Sequence, residues 1–210
     1  VVDIIIGKDD ETRSIRLELE PFTLIGATTR YGDLSSPLRE RFGIIRRLNF
    51  YTISELEQIL ERTSKIYDTP LDIEAKKLLA KCSRGTPRVA NRLFRRTRDF
   101  AQILGDGKIT KDIALNSLNK QGVNLAGLDD IDIRYLSAVV IKFKGGPVGL
   151  ETVATSISEE AITLSDAIEP YLIQEGYIMR TKQGRIATKK AFDELKIKYN
   201  NTLFDIKEDI

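Results

Sequence analysis

The stretch from Phe22 to Phe42 decides the fold: residues 22–30 read FTLIGATTR and residues 35–42 read SSPLRERF. Its first apolar residues, Phe22–Ile25, predict a buried parallel strand, because strands covered on both faces are apolar at successive positions. Small polar residues follow at the carboxyl end of the strand, where open α/β sheets place their ligands. The stretch therefore predicts an α/β sheet with a ligand site at its edge.

Thr28 and Thr29 are the hydroxyl residues at this strand end, and a short helix that begins near Pro37 follows them. This helix carries Arg39 and Arg41, which are two positions apart and so point in different directions. At most one of them can therefore face a given phosphate. The same residues also suit a Thr-rich turn and a solvated Arg-Glu-Arg helix, so the rest of the chain must decide between a site and a plain surface.

The composition is that of a globular protein whose chemistry cannot depend on histidine. The 210 residues include 33 Lys and Arg against 31 Asp and Glu, a net charge of +2, with one cysteine and no histidine. These counts argue against a disulfide framework and a zinc site, and any nucleic-acid binding must come from local basic patches. No apolar run approaches the roughly 18 residues needed to span a bilayer. We expect a cytoplasmic protein and, since Val1 falls in a predicted strand, a piece of a longer one.

Residues 1–20 predict a β-hairpin. The β-branched run Ile4–Ile6 comes first, residues 7–13 supply turn chemistry, and apolar residues then alternate with polar ones as far as Leu19. This alternation is typical of a half-buried strand. A further strand is predicted over Ile44–Phe50.

Helices are predicted from Thr52 onwards. Thr52 and Glu55 have the spacing of a capping box, and further helices are expected from Asp72, from Pro87 to about Leu104 and from Thr110 to about Lys120.

Arg88 falls in the first turn of the helix that begins at Pro87, within the stretch RGTPRVANR over residues 84–92. A cation at this position opposes the helix dipole, whereas the free backbone N–H groups beside it favour anions. An arginine placed against its local preference indicates a phosphate partner. An exposed arginine-rich face that is solvated or paired with glutamates fits the same pattern.

The pattern changes after Gly122–Gly127, which predicts a linker. From Asp129 onwards, three predicted helices precede two short strands around a Lys-Gln-Gly turn, the order of a winged-helix domain. Arg180, Lys182 and Arg185 cluster on the predicted wing, where contacts to phosphates or the minor groove are expected. A basic hairpin tip is common on any surface, so the three-helix context is what favours DNA.

Taken in order, the motifs resemble the RuvB family of AAA+ ATPases, hexameric motors that migrate Holliday junctions in bacteria. The motifs are GATTR (26–30), LRERFG (38–43), RGTPRVANR (84–92), GGPVGLET (145–152) and EPYLIQEGYIMRT (169–181). The resemblance covers nearly the whole chain. It implies an α/β fragment of an AAA+ ATPase domain over 1–51, an all-α helical lid over 52–122 and a winged-helix (α+β) DNA-binding head over 125–205.

The resemblance also implies roles for residues at the nucleotide. Thr28 and Thr29 match sensor 1, which reads the γ-phosphate of ATP or orients the attacking water. Arg41 matches the arginine finger that reaches a neighbouring subunit's ATP, and Arg39 is the less favoured alternative.

Further matches concern the lid, the head and the partner protein. Tyr51 matches a nucleotide-contacting position between the large and small ATPase domains, and Arg88 matches sensor 2. Arg180 and Arg185 match the DNA-contacting arginines of the head. The hairpin at 1–20 resembles the element that docks the junction-binding partner RuvA, and the motor is a homo-hexamer.

The chain departs from the family pattern in one respect. Its 210 residues contain neither a G-x-x-x-x-G-K-[ST] motif nor an acidic Walker B motif, so most ligands of ATP and Mg²⁺ are missing. We therefore expect no ATP hydrolysis by these residues alone. Two other readings remain open: a winged-helix regulator with an N-terminal sensing domain, and a non-catalytic AAA+ scaffold subunit of the clamp-loader type.

Overall fold

The computed structural model describes residues 2–6 and 13–199. The chain divides into two compact units, Val1–Leu48 and Asn49–Ile210, and each is described by itself. Within the described ranges, none of the helices combines the length and the apolar character needed to cross a membrane.

The first unit contains an antiparallel hairpin and a short helix. Strand β1 (Val2–Ile6) pairs with strand β2 (Arg13–Leu17), which confirms the predicted hairpin. Most of its predicted turn, residues 7–12, lies outside the described residues. Helix α1 (Ser36–Arg41) has its proline near the start, as predicted.

The two other strands predicted in this region are wrong. Phe22–Ile25 and Ile44–Phe50 are irregular chain, with Ile25 88% and Leu48 90% exposed. A buried parallel strand needs neighbouring strands for its backbone groups and covering helices for its side chains. In the described part of this unit, the β1–β2 hairpin is the only sheet, and it does not extend to either segment.

The first part of the second unit is helical throughout. Its helices are α2 (Ile53–Ile66), α3 (Ile73–Lys81), α4 (Pro87–Leu104) and α5 (Lys111–Lys120). The predicted capping box is confirmed, since the Thr52 N–H donates to a Glu55 carboxylate oxygen at 2.8 Å and the Glu55 N–H donates to the Thr52 hydroxyl at 3.3 Å. Fully buried Leu60, Leu79 and Phe94 form the core that joins α2, α3 and α4.

The second part has the predicted order of helices followed by a hairpin. Its elements are α6 (Asp130–Ser137), continued by a π-helical segment (Ala138–Lys142), α7 (Leu150–Ile157), α8 (Ala161–Thr163), a second π-helical segment (Leu164–Ile168), α9 (Glu169–Gln174), β3 (Ile178–Thr181), β4 (Gly184–Ala187) and α10 (Lys189–Glu194). Buried Tyr135, Leu136, Leu164 and Leu172 form its core.

The hairpin β3–β4 is fastened to this core. Val148 and Arg185 exchange backbone hydrogen bonds of 3.0 and 2.8 Å, so Val148 forms an antiparallel bridge to β4. Gly184 makes this approach possible, since a Cβ there would lie 2.4 Å from the Val148 carbonyl oxygen. The hairpin is therefore held in place and is not a free arm.

The predicted linker, Gly122–Gly127, is a hydrogen-bonded turn. The Asn124 side-chain oxygen accepts from the N–H groups of Ala126 and Leu128 at 3.0 and 2.9 Å. The helical part and the part that contains the β3–β4 hairpin meet at this turn within one compact unit.

Candidate nucleotide and DNA interfaces

In the first unit, the segment that carries Thr28 and Thr29 begins against the end of α1. A Cβ added at Gly26 would be 3.6 Å from the Phe42 ring. Thr28 and Thr29 are exposed, and the Thr28 hydroxyl accepts from the Arg30 N–H at 3.0 Å. The structure thus brings the predicted sensor 1 threonines and the predicted finger helix into one small unit.

The two arginines of α1 differ in their surroundings. Arg39 donates to the Ser36 hydroxyl at 3.0 Å, and its guanidinium carbon lies 5.4 Å from the centroid of the Tyr31 ring. Arg41 is exposed, and its side chain has no hydrogen-bond or ion-pair partner among the residues that the structure describes. Arg41 is the one whose guanidinium is free for an external anion.

In the second unit, a hydrogen bond holds Tyr51 next to the start of α4. The Tyr51 N–H donates to the Gly85 carbonyl oxygen at 2.8 Å. Gly85 has a φ of +65°, and a Cβ there would lie 2.7 Å from the Phe50 Cβ, so this close approach requires glycine. Arg88 lies three residues further on, in the first turn of α4.

The start of α4 is open to an anion. Thr86 occupies the N-cap position as predicted, but its hydroxyl donates to the Arg84 carbonyl at 3.1 Å and does not cap the helix. Arg88 is exposed and forms no ion pair with any residue in the described ranges. The Arg88 guanidinium and the free backbone N–H groups beside it suit the phosphates of a nucleotide. Tyr51 is 46% exposed and adds an aromatic surface nearby.

The two arginines predicted to contact DNA lie directly opposite each other in the β3–β4 ladder, but only one is exposed. Arg180 is exposed, whereas Arg185 is 9% exposed. The Arg185 Nε and Nη2 atoms donate to the two carboxylate oxygens of Glu169 at 2.7 and 3.1 Å. Like charges directly opposite each other in a ladder repel, and this ion pair reduces the repulsion between the two arginines.

Glu169 was not among the predicted site residues. It is 2% exposed and also accepts from the Tyr135 hydroxyl at 2.7 Å, so three donors satisfy its carboxylate. The hydrogen bond from the Arg185 guanidinium to Glu169 raises the pKa of Arg185 above its ordinary value. The only local signal for this role was a lone acidic residue between Ile168 and Pro170.

Family models match successive segments of the chain. The RuvB P-loop domain of the Holliday junction DNA helicase matches residues 1–48, the RuvB AAA lid domain matches residues 51–124, and the RuvB C-terminal winged helix domain matches residues 125–196. Their order is that of the elements described above.

Individual relatives agree with these models. The Holliday junction branch migration complex subunit RuvB of Acholeplasma laidlawii is 55% identical over 204 residues, which are 97% of this chain and 60% of the relative. The subunit of the same name from Phytoplasma mali is 55% identical over 91% of this chain and 58% of the relative. The chain thus spans about 60% of the length of the curated relatives that it matches.

Solved structures show the same relationship. The Thermotoga maritima RuvB Holliday junction branch migration motor has a TM-score of 0.81 and 46% sequence identity, over 87% of this chain and 61% of that one. A point mutant of the same protein has a TM-score of 0.82 and 45% identity, over 89% of this chain and 62% of that one. With an AAA+ piece, an AAA lid and a winged helix in sequence, the chain belongs to the RuvB family.

Proposed function

We propose that this chain acts within an ATP-driven DNA motor subunit that catalyses Holliday junction branch migration in recombination and DNA repair. The observation that carries the proposal is Arg88, an exposed arginine in the first turn of α4, beside Tyr51 and without an ion-pair partner in the described residues. Such a cation suits a nucleotide phosphate, and it lies in the lid next to a winged-helix head that suits DNA.

At the nucleotide, each residue has a distinct role. Tyr51 and Arg88 contact ATP bound to their own subunit, and Thr28 and Thr29 read its γ-phosphate or orient the water. Arg41 extends from α1 towards ATP on a neighbouring subunit. When bound, ATP with Mg²⁺ supplies the free energy of phosphoryl transfer. The ligands that hold Mg²⁺ and the β- and γ-phosphates are not part of this sequence, so we expect no ATP hydrolysis by the 210 residues alone.

At the DNA, the wing holds the backbone of a duplex. Arg180 contacts a phosphate directly, and Arg185 contributes through Nη1, since Glu169 occupies its other two guanidinium nitrogens. Contacts of this kind are independent of sequence and weaken with salt, which suits a motor that must pass over any sequence.

The assembly completes the site. Arg41 acts across a subunit boundary, as the resemblance to the family implies, and the subunits form a homo-hexameric ring in the cytoplasm. A RuvA-type junction-binding protein docks on the hairpin at 1–20. The curated relatives are named as subunits of a branch migration complex, which supports such an assembly.

The test uses the full-length gene product, with ATP hydrolysis and the movement of a synthetic four-way junction as readouts. We expect magnesium-dependent hydrolysis that drives junction movement. For Arg88→Ala we expect a loss of about 10²–10³ in hydrolysis, the magnitude for removing one hydrogen-bond donor that stabilises the transition state. Arg96→Ala, a change of the same type at an exposed position on α4, is the control and leaves hydrolysis unchanged.

Other outcomes would contradict the proposal. Strong preference for one operator sequence without ATP dependence indicates a winged-helix regulator. Assembly with other subunits but no hydrolysis of its own indicates a non-catalytic scaffold.

A further inference from the structure

Arg84 lies where the lid meets the head. It precedes Gly85 and α4, adopts a φ of +53° and has a side chain that is 15% exposed. Its Nε donates to the Gly127 carbonyl oxygen at 2.7 Å. A left-handed backbone at a non-glycine residue costs free energy, so the contacts of this side chain must compensate for its conformation.

The head supplies two carboxylates and an aromatic ring to this arginine. Its Nη2 pairs with Asp129 at 3.1 Å and also with Asp132, while its guanidinium carbon lies 4.9 Å from the centroid of the Tyr171 ring. Asp129 and Asp132 form the capping box of α6, and Asp132 is fully buried. One guanidinium therefore holds the first turn of α6 and the face of α9 against the lid.

Further hydrogen bonds surround the ion pair. Asn124 donates to Glu194 at 2.8 Å, its carbonyl lies 3.5 Å from the Cys82 sulfur, and the Tyr171 hydroxyl donates to the Ala126 carbonyl at 3.0 Å. A Cβ at Gly127 would lie 3.1 Å from the Cys82 carbonyl oxygen. The turn that joins the lid to the head is thus packed on both sides.

We propose that Arg84 is a positioning residue that locks the lid to the head, so that the two parts move as one body. Arg84 and Arg88 are four positions apart, and α4 is a continuous helix between the nucleotide side and the lid core. The consequence of this lock rests on the proposed function. When the nucleotide at Arg88 tilts the lid, the tilt is transmitted to the wing. Without the lock, the turn at 122–127 would absorb part of the tilt.

The first test measures the lock without ATP or DNA. Backbone ¹⁵N relaxation of the 210-residue chain should give one rotational correlation time for the amides of 53–120 and 130–194. In Arg84→Ala we expect two different and shorter correlation times, one for each part. The dispersion of the amide chemical shifts should show that each part is still folded. Arg98→Ala is the matched control, because Arg98 also stacks on a tyrosine and pairs with an aspartate, but within the lid, and it should keep a single value.

Asp132→Asn provides a second variant should Arg84→Ala fail to fold, since it keeps the side-chain shape and removes the charge. It should also give two correlation times. Independent tumbling of the unmodified chain, or a single correlation time in folded Arg84→Ala and Asp132→Asn, would overturn the lock.

The second test measures coupling in the full-length gene product. Arg84→Ala should keep its hydrolysis rate and its KM for ATP while junction movement per ATP falls about tenfold, a typical magnitude for energetic coupling between sites. Arg84→Lys should recover part of the loss, because it keeps the charge but not the forked contacts. Proportional loss of hydrolysis and movement would contradict the coupling role. A gene product without hydrolysis would refute the proposed function while the relaxation result still tests the lock.

Discussion

The N–H of Tyr51 donates a 2.8 Å hydrogen bond to the carbonyl oxygen of Gly85, and this bond joins the segment before α2 to the loop that enters α4. The proposed nucleotide-contacting tyrosine and the proposed sensor arginine, Arg88, are therefore held by one short loop. Their relative position depends on the close approach of Phe50 to Gly85.

Gly85→Ala should destabilise the chain and disturb this loop. The new Cβ would lie 2.7 Å from the Phe50 Cβ, and the φ of +65° strains any side chain. We expect a loss of about 1–3 kcal/mol in the free energy of unfolding, measured by urea denaturation. Gly107→Ala is the control, because Gly107 has a similar φ of +87° but open space around it, so it should lose less. Equal losses would show that the contact with Phe50 does not matter.

Local signals in the sequence predicted the helices well. The Thr52–Glu55 capping box and the end of α4 at Leu104 depend on residues within one turn, and both are as predicted. The strand at Phe22–Ile25 was wrong because burial of a parallel strand depends on neighbours that a local pattern does not reveal.

The two buried ion pairs could not be predicted from the sequence, for a related reason. Arg185 and Glu169 are 16 residues apart, and Arg84 and Asp132 are 48 apart. Nothing in the spacing of such residues indicates an ion pair. The sequence therefore indicated which arginines to propose as functional, but not which of them are held by a buried carboxylate.

Arg41→Ala in the full-length gene product should abolish hydrolysis and spare ATP binding. An arginine finger is worth about 10³–10⁵ in rate, and Arg41 is exposed without an ion-pair partner in the described part of the chain. Arg39→Ala should cost far less, since Arg39 is engaged with Ser36 and Tyr31. Single-turnover hydrolysis and nucleotide titration distinguish the two variants, and unchanged turnover in Arg41→Ala would count against its assignment as the finger.

Arg180→Ala and Arg185→Ala should affect different properties, DNA binding in the first and folding stability in the second. Loss of the exposed Arg180 should weaken duplex binding uniformly across sequences and reduce the slope of log K against log salt by about 1. Loss of Arg185 should change that slope less but leave the buried Glu169 carboxylate unpaired, which costs about 3–5 kcal/mol of folding stability. Fluorescence anisotropy at several salt concentrations and urea denaturation of each variant measure both effects. Identical behaviour of the two variants would contradict the separate roles.

The pH dependence of stability should report on Asp132. Burial raises the pKa of this carboxyl from its ordinary 3.8 to about 6, against the opposing effect of Arg84 and with a further rise from Asp129. A carboxyl with a raised pKa binds its proton more tightly in the folded chain than in the unfolded one. Its contribution to the free energy of unfolding therefore increases as the pH falls from about 6 to about 4, and is constant above pH 7.

Asp132→Asn isolates this contribution from those of other carboxyls. Glu55, for example, acts in the opposite direction, because hydrogen bonds from Thr52 lower its pKa. We expect the free energy of unfolding of the unmodified chain, minus that of Asp132→Asn, to rise as the pH is lowered from about 7 to about 4 in urea denaturation. A Glu55→Gln control should give a difference that falls over the lower part of the same range, since protonation of Glu55 removes the stabilisation that its carboxylate provides. A difference for Asp132→Asn that does not change with pH would mean that this carboxyl titrates as it does in the unfolded chain, and that the arginine fully offsets the cost of its burial.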